Sequence, residues 1–430
     1  MFEPEIAGLA TAIQDAVTRY RQGSPVPTRR DVRVRRRDFS LKYREDFGFA
    51  NFPPERIEED VWDWDDQERF QASTIKSLKE YQSLVSALGP NADSVEQFAR
   101  ALSFASFRGT DANELAERVT VFGRELAREP VPVKMTAFIA GLSITESPMV
   151  VSDGLTLRRP TLEDVSENVA LDEYGGFAFH QPETWFSVIG EFAFEVAYPG
   201  LAQDGLLRAI EALRLFRLGG IETNRYPMRS RHSMWPGGVI SGPGRYSRFT
   251  YALSPTDVSM LSEFLRDVVP LLLDPLHLDK ATTANGIAYA RYRDALFENP
   301  TERALTSAIT ALEALFLDGE TELTHRLAQR VAVFLRALGT HSDARATYDT
   351  VRKGYKIRST FTHGSSASPK DRPWAESNVT ILLEYARACI LAFLQISTPK
   401  DELLRHLDRA MIDPAGVNQL NASLTSVRHK

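Results

Sequence analysis

From Ser254 to Ile396 the chain carries helical signals and no strand signals, and this constrains its fold more than any other feature of the 430 residues. Ser254-Pro255-Thr256-Asp257 opens a helix, with a hydroxyl to accept the first free amides and a proline where the missing N–H costs nothing. Helical periodicity follows at 282–298, 302–317, 321–338, 344–362 and 373–396, broken at Asn299-Pro300, Asp318-Gly319, Gly339 and Gly364 to Pro373. Most of these links are so short that neighbouring helices must return antiparallel, which makes a bundle. Leu403, Leu404, Leu407 and Met411 predict one more amphipathic helix in the tail.

Upstream the pattern changes twice. A stripe of Ile6, Leu9, Ile13 and Val17 predicts a first helix ending at Gly23 and Pro25, and a polar, aromatic-bearing segment runs on to Pro54. Helical spacing returns at Phe70–Leu88 and Leu115–Leu126, with Gly89-Pro90 and Glu129-Pro130 as breakers. Between 131 and 253, β-branched runs at Val131–Ile144 and Met149–Leu157 flank the turn Ser152-Asp153-Gly154. Phe186–Val196 alternates as a half-buried strand, Leu201–Leu218 reads as a helix and Arg245–Leu253 as a strand. The expectation is a mainly α protein in more than one domain: a helical N-terminal region at 1–130, a small α+β region at 131–253, a helical domain at 254–400 and a helical tail at 401–430.

One cysteine, Cys389, sits on an apolar helix face, which excludes disulfides and thiolate metal sites and fits a reducing compartment. The N-terminus has no basic segment followed by an apolar stretch. The longest apolar runs, Val268–Leu273 and Cys389–Leu394, fall short of the ~20 residues that cross a bilayer. A cytoplasmic protein without a membrane partner is therefore expected.

The chemistry centres on 344–363. Tyr348, Val351, Tyr355, Arg358 and Thr362 recur at helical spacing, placing Arg358 on or beside a face that packs inward or against a partner. An arginine there needs an anionic or polar companion. Glu313, within Leu312-Glu313-Ala314-Leu315-Phe316, can supply one inside the bundle. His363 follows five residues after Arg358, a rotation of roughly 140° on an ideal helix, so the two converge only if the helix end frays or a second copy contributes. A histidine at a helix C-terminus protonates more readily, which suits proton transfer near neutrality. Metal-free RNA cleavage needs a base for the 2′-hydroxyl, an acid for the leaving 5′-oxygen and a cation against the phosphorane. One histidine and one arginine from each subunit of a homodimer would meet that need, although such a pair at this spacing recurs by chance in many chains.

The stretch Glu302–Gly364 resembles the ApeA-like branch of the HEPN superfamily, through three blocks: Ala308-Ile309-Thr310-Ala311-Leu312-Glu313-Ala314-Leu315-Phe316-Leu317, Glu322-Leu323-Thr324-His325-Arg326-Leu327-Ala328-Gln329-Arg330-Val331-Ala332, and Tyr355-Lys356-Ile357-Arg358-Ser359-Thr360-Phe361-Thr362-His363-Gly364. The resemblance implies a dimerising HEPN helical bundle that brings two Arg-x4–6-His motifs into one cleft and cuts RNA with neither metal nor cofactor. Arg358 and His363 occupy the motif positions and are the catalytic candidates; Ser359, Glu313 and Tyr355 are auxiliary candidates. Active members often carry Asn, Asp or His directly after the arginine, where this chain has Ser359, a residue still able to hydrogen-bond phosphate. Many relatives look like bacterial defence or toxin effectors that attack tRNA or other cellular RNA on phage infection. Others are catalytically silent modules for dimerisation and nucleotide or RNA binding. A regulatory or phage-derived partner belongs to the same picture.

The net charge of −6 hides local asymmetry. Between 208 and 248, arginines interleave with aromatic residues, and Arg225, Arg229, Arg231, Trp235, Arg245 and Arg248 are candidate RNA-binding residues, since cations meet phosphate and rings stack on unpaired bases. The alternative is a solvated surface, or one that docks on the acidic, Trp62- and Trp64-containing segment 55–68. The arginines of 29–37 stand next to that acidic segment and can be neutralised by it. His325 reads as a surface or interface residue, while His180, His232, His277 and His341 lack metal-ligand spacing. Asp63, Asp65 and Asp66 lack the glycine of a calcium loop, and the glycines at 237–244 read as turns.

Overall fold

The structure, a computed structural model, describes residues 3–23, 28–37, 52–89, 92–109, 111–161, 164, 170–172, 187–197, 199–223, 225–230, 237–241, 245, 247–273, 278, 280–318, 322–362 and 371–429. It is mainly helical with a smaller sheet region, and the chain divides into two compact units. The first comprises Met1–Phe138, Asp153–Gln203 and Arg225–Gly242; the second comprises Ile139–Ser152, Asp204–Asn224 and Pro243–Lys430.

In the first unit, α1 (Glu3–Gly23) buries Ile6, Leu9, Ile13 and Val17, the stripe its sequence carries. They pack with Phe70 of α2 (Trp64–Ser73), Leu84 of α3 (Lys79–Leu88), Phe98 and Leu102 of α4 (Ala92–Phe107) and Phe122 of α5 (Ala112–Leu126). Two features depart from the expected helical region. The run 70–88 is two helices parted by a short turn, and 28–62 holds an antiparallel ladder of β1 (Thr28–Arg37) and β2 (Phe52–Trp62). Asp63 caps α2 by accepting the amides of Asp65 and Asp66. Asp66 in turn accepts Tyr20 Oη at 2.8 Å and Trp62 Nε1 at 2.8 Å, so this acidic cluster is used in holding α2 to α1.

β1 also pairs with β7 (Ala170–Asp172), and a second sheet of this unit runs in the order β11 (Gly237–Ser241), β10 (Arg225–Ser230), β3 (Val131–Ala140), β8 (Val188–Val196), β6 (Leu155–Arg158). Val131, Val133 and Met135 alternate inward from β3.

In the second unit the last residues of β3, Ile139 and Ala140, pair with β9 (Glu222–Thr223), and β4 (Leu142–Ile144) runs parallel to β12 (Tyr251–Leu253). Of the strand expected over 245–253, only the last three residues form one. Ser247 instead donates to the Leu296 carbonyl, and the Phe249 carbonyl accepts Gly220 N–H. β5 (Met149–Ser152) packs on α7 (Val258–Val268).

The bundle is formed by α8 (Ala284–Phe297), α9 (Thr301–Phe316), α10 (Leu323–Leu338), α11 (Ala344–Thr362) and α12 (Asp371–Gln395), close to the expected spans. α9 packs against each of the other four, and its Leu305, Ile309, Leu312 and Phe316 are fully buried. α12 is long and apolar enough by composition to cross a membrane, yet most of its apolar residues from Ala375 to Phe393 are buried, with Ile381 left exposed. The tail folds as two helices, α13 (Lys400–Ala410) and α14 (Pro414–Ser423), where one was expected. α13 buries Leu403, Leu404 and Leu407 and leaves Met411, just beyond its end, 38% exposed.

α6 (Pro199–Phe216) ends in this unit with all four terminal carbonyls occupied. Tyr251 Oη donates to Leu213 O at 2.7 Å and Tyr292 Oη to Arg214 O at 3.0 Å. Arg387 donates Nη1 to the carbonyls of Leu215 and Phe216 at 2.9 and 3.4 Å.

Candidate functional site

Arg358 lies one turn before the end of α11, and Glu313 lies on the last turn of α9. Their approach depends on Gly354. A Cβ there would stand 3.0 Å from both Ile309 Cδ1 of α9 and Leu382 Cδ1 of α12, so those side chains would have to give by a few tenths of an ångström to admit one. Sequence reasoning passed over this glycine, although a glycine inside a helical pattern is a sign of close packing.

Arg358 Nη2 meets Glu313 Oε2 at 2.9 Å, with the side chains 26% and 13% exposed. The companion that the sequence required is therefore supplied within the chain. Arg358 Nε is buried and has no partner among the described residues, so one donor of the guanidinium fork is unused. One turn earlier, Tyr355 is 9% exposed and its ring centroid lies 5.9 Å from the guanidinium carbon, at the outer range of cation–π attraction.

Burial pushes the Glu313 carboxyl above its ordinary range, opposed by the Arg358 charge and a hydrogen bond from Thr310. Burial, reinforced by the Glu313 charge, raises the Tyr355 phenol. Ser359 is partly exposed beside Arg358. His363, directly after the last residue of α11, lies outside the described residues. The described part of the site is thus an oriented cation paired with one carboxylate, that carboxylate favouring its proton more than usual, and a hydroxyl. This set can hold an oxyanion, and the proton-transfer group must come from outside it.

His325, on the first turn of α10, is exposed; its Nδ1 is 2.8 Å from Tyr348 Oη on α11.

Arg208, Arg214, Arg217, Arg245 and Arg248 of the arginine-rich stretch are each bonded within the second unit. Arg214 is 3% exposed, bonded to Glu211 and to the Ile221 carbonyl at 2.6 Å, while Glu211 also accepts the Tyr289 hydroxyl. Arg208 donates to the Leu272 carbonyl and Arg217 pairs with Asp257. Arg245 meets Glu222 at 3.1 Å and lies over Phe297, and Arg248 donates to Thr301 Oγ1 at 2.9 Å. Arg225 and Arg229 stand on β10; Arg231 and Trp235 lie outside the described residues.

In β1 the register sets Arg30 opposite Asp60 and Arg35 opposite Glu55, while Arg29, Arg33 and Arg37 stand opposite Val61, Ile57 and Phe52, so the acidic strand matches the arginine run only in part. Among the described residues no group of three or more His, Cys, Asp or Glu side chains is placed to hold a metal ion. Comparison with protein-family models, with curated proteins and with solved structures gives no match for this chain.

Proposed function

We propose that this chain is a metal-independent RNA endonuclease of HEPN type, acting as a homodimer in the cytoplasm as a bacterial anti-phage or toxin effector on tRNA or other cellular RNA. The observation that carries the reading is Arg358: a positioned, partly exposed guanidinium with one donor unused, one turn from the helix end that His363 follows.

In the proposed reaction an imidazole of His363 takes the proton of a ribose 2′-hydroxyl and the 2′-oxygen attacks phosphorus. The bond to the 5′-oxygen breaks, and that oxygen takes a proton from the second subunit's imidazole, which enters the step protonated and leaves it neutral. The products are a 2′,3′-cyclic phosphate and a 5′-hydroxyl. Arg358 steadies the charge that gathers on the phosphorane oxygens, where oriented donors act most strongly. Ser359 adds a hydroxyl toward phosphate. The residues before 254 recognise the substrate, a partner or an infection signal.

A second reading is favoured by the Arg358–Glu313 pair itself, because a guanidinium already neutralised inside its own bundle suits a silent module for nucleotide or RNA binding and dimerisation. One experiment separates the two. Purified protein is incubated with total tRNA in excess chelator, beside Arg358→Ala and His363→Ala. Chelator-resistant cutting by the parent that both variants lose supports the nuclease; equally intact RNA in all three leaves the binding module.

A further inference from the structure

α11 carries Arg345, Arg352, Lys353, Lys356 and Arg358 against a single acid, Asp349, in a chain of net charge −6. Positions 345, 349, 352 and 356 follow the three- and four-residue spacing of one helix face, and all four are exposed. The buried residues of α11 are Thr347, Val351, Gly354, Tyr355 and Ile357. Arg345 pairs with Asp349 at 2.8 Å, with the side chains 80% and 50% exposed, a pair that water and salt readily screen, and its guanidinium carbon lies 5.8 Å from the Tyr348 ring centroid. Arg352 and Lys356 have no acidic partner among the described residues. The helix dipole favours cations near a C-terminus, which accounts for Lys356 but not for Arg345, the second residue of the helix.

We infer that this stripe is a track for the phosphodiester backbone of single-stranded RNA, running along the outer face of α11 toward Ser359 at its C-terminal end, with Arg358 turned roughly 150° away toward Glu313; the inference rests on the nuclease reading above. At 1.5 Å per residue, Arg345 to Lys356 spans ~16 Å, the length of ~5 stacked nucleotides at ~3.4 Å each. Beside the track, Lys353 Nζ lies 4.7 Å from the centroid of the Trp374 ring on α12, and that partly exposed indole offers a face for a base. The described arginines of 208–248 in the second unit are bonded within the fold, whereas α11 presents unpaired cations to solvent next to the candidate site.

The test uses the full chain and a fluorescent single-stranded oligoribonucleotide of about ten nucleotides, 2′-O-methylated throughout. Its blocked 2′-oxygens cannot attack phosphorus, so binding is read apart from cleavage. Each phosphate contact on single strands contributes ~0.7 to the slope of log K against log salt. The pair Arg352→Glu/Lys356→Glu should therefore make that slope shallower by ~1.4 and weaken binding ~25-fold at ~0.1 M salt. Arg405→Glu/Arg409→Glu, on the exposed face of α13, changes net charge equally and should leave both quantities near those of the parent.

Should the reversal pair fold poorly by circular dichroism, Arg352→Gln/Lys356→Gln removes the same two contacts and should give the same slope change. Loss no greater than in the α13 pair overturns the track. So does tight binding of poly-glutamate with equal sensitivity to the reversal, which would give the stripe to an acidic polypeptide. Stripe-dependent binding by a chain that cuts no RNA leaves the track standing and removes the nuclease; cutting without stripe dependence does the reverse.

Discussion

Arg330 offers a quantitative test of how the tail is fastened to the bundle. Its guanidinium on α10 is 1% exposed and uses Nε and Nη2 as a fork on Asp408 of α13, at 2.8 and 2.7 Å. Nη1 donates to the Phe316 carbonyl at 2.7 Å and to Asp318 at 3.1 Å. In Arg330→Ala the two carboxylates, 44% and 42% exposed, regain water and cost little. The Phe316 carbonyl belongs to a fully buried residue and is left unpaired, at about 2 kcal/mol. Losing two packed methylenes, Cγ and Cδ, adds about 1.6 kcal/mol at ~0.8 each. The sum, about 3.6 kcal/mol, falls within the ~3–5 kcal/mol typical of a broken buried ion pair. Arg330→Met keeps most of the stem and should cost only the carbonyl term, about 2 kcal/mol. Because the chain has two units, a global melt would blur the effect, and hydrogen exchange of the α13 amides is the better assay. Exchange should quicken ~30-fold in the Met variant and ~400-fold in the Ala variant. Exchange within ~3-fold of the parent in both variants, or equal acceleration in the two, would refute the reasoning.

Three further outcomes follow from the same physics. Burial raises the Glu313 pKa above its ordinary 4.5, so the folded state holds that proton to higher pH than the unfolded chain. The associated stability is fully present below pH 4.5 and is lost as pH rises through the folded value, so the parent should gain in Tm relative to Glu313→Gln on acidification across that window; parallel Tm curves would contradict it. Tyr292→Phe leaves the Arg214 carbonyl at the end of α6 without its donor and should destabilise by about 1–3 kcal/mol, seen as faster exchange of the last α6 amides. Gly141→Ala requires a φ of +80° and puts Cβ 2.5 Å from the Gly220 carbonyl oxygen. Backbone has nowhere to yield, so it should cost at least about 2 kcal/mol and sharply reduce soluble yield, whereas Gly339→Ala has open space and should suffer only from its positive φ.

Where apolar residues recur at helical spacing, the fold could be read directly: the stripe of α1 and the five bundle helices lie within a few residues of their expected ends. Three features escaped for different reasons. The β1–β2 ladder is dense in charge, with few apolar positions to mark a buried face, and its partners lie apart in sequence, so the pairing shows only in the folded chain. α4 has a serviceable stripe in Val95, Phe98 and Leu102 that was overlooked between two stronger patterns. The arginines of 208–248 suggested nucleic acid because a guanidinium fork suits phosphate. The same fork suits carboxylates and helix-terminal carbonyls, and composition cannot tell these partners apart. At the candidate site, the need of Arg358 for an acid was legible and Glu313 was the right choice. The role of Gly354 was not, because it depends on the separation of three helices.

The end of α6 also says something about the order in which the molecule can be completed. Its Leu215 carbonyl waits for Arg387, 172 residues later in the chain. While the protein is being synthesised, that helix terminus must stay hydrated until α12 has emerged, and the second unit cannot close over it earlier. A product halted before α12 would therefore carry bare carbonyls beside exposed apolar surface, a species for chaperones and proteases to remove.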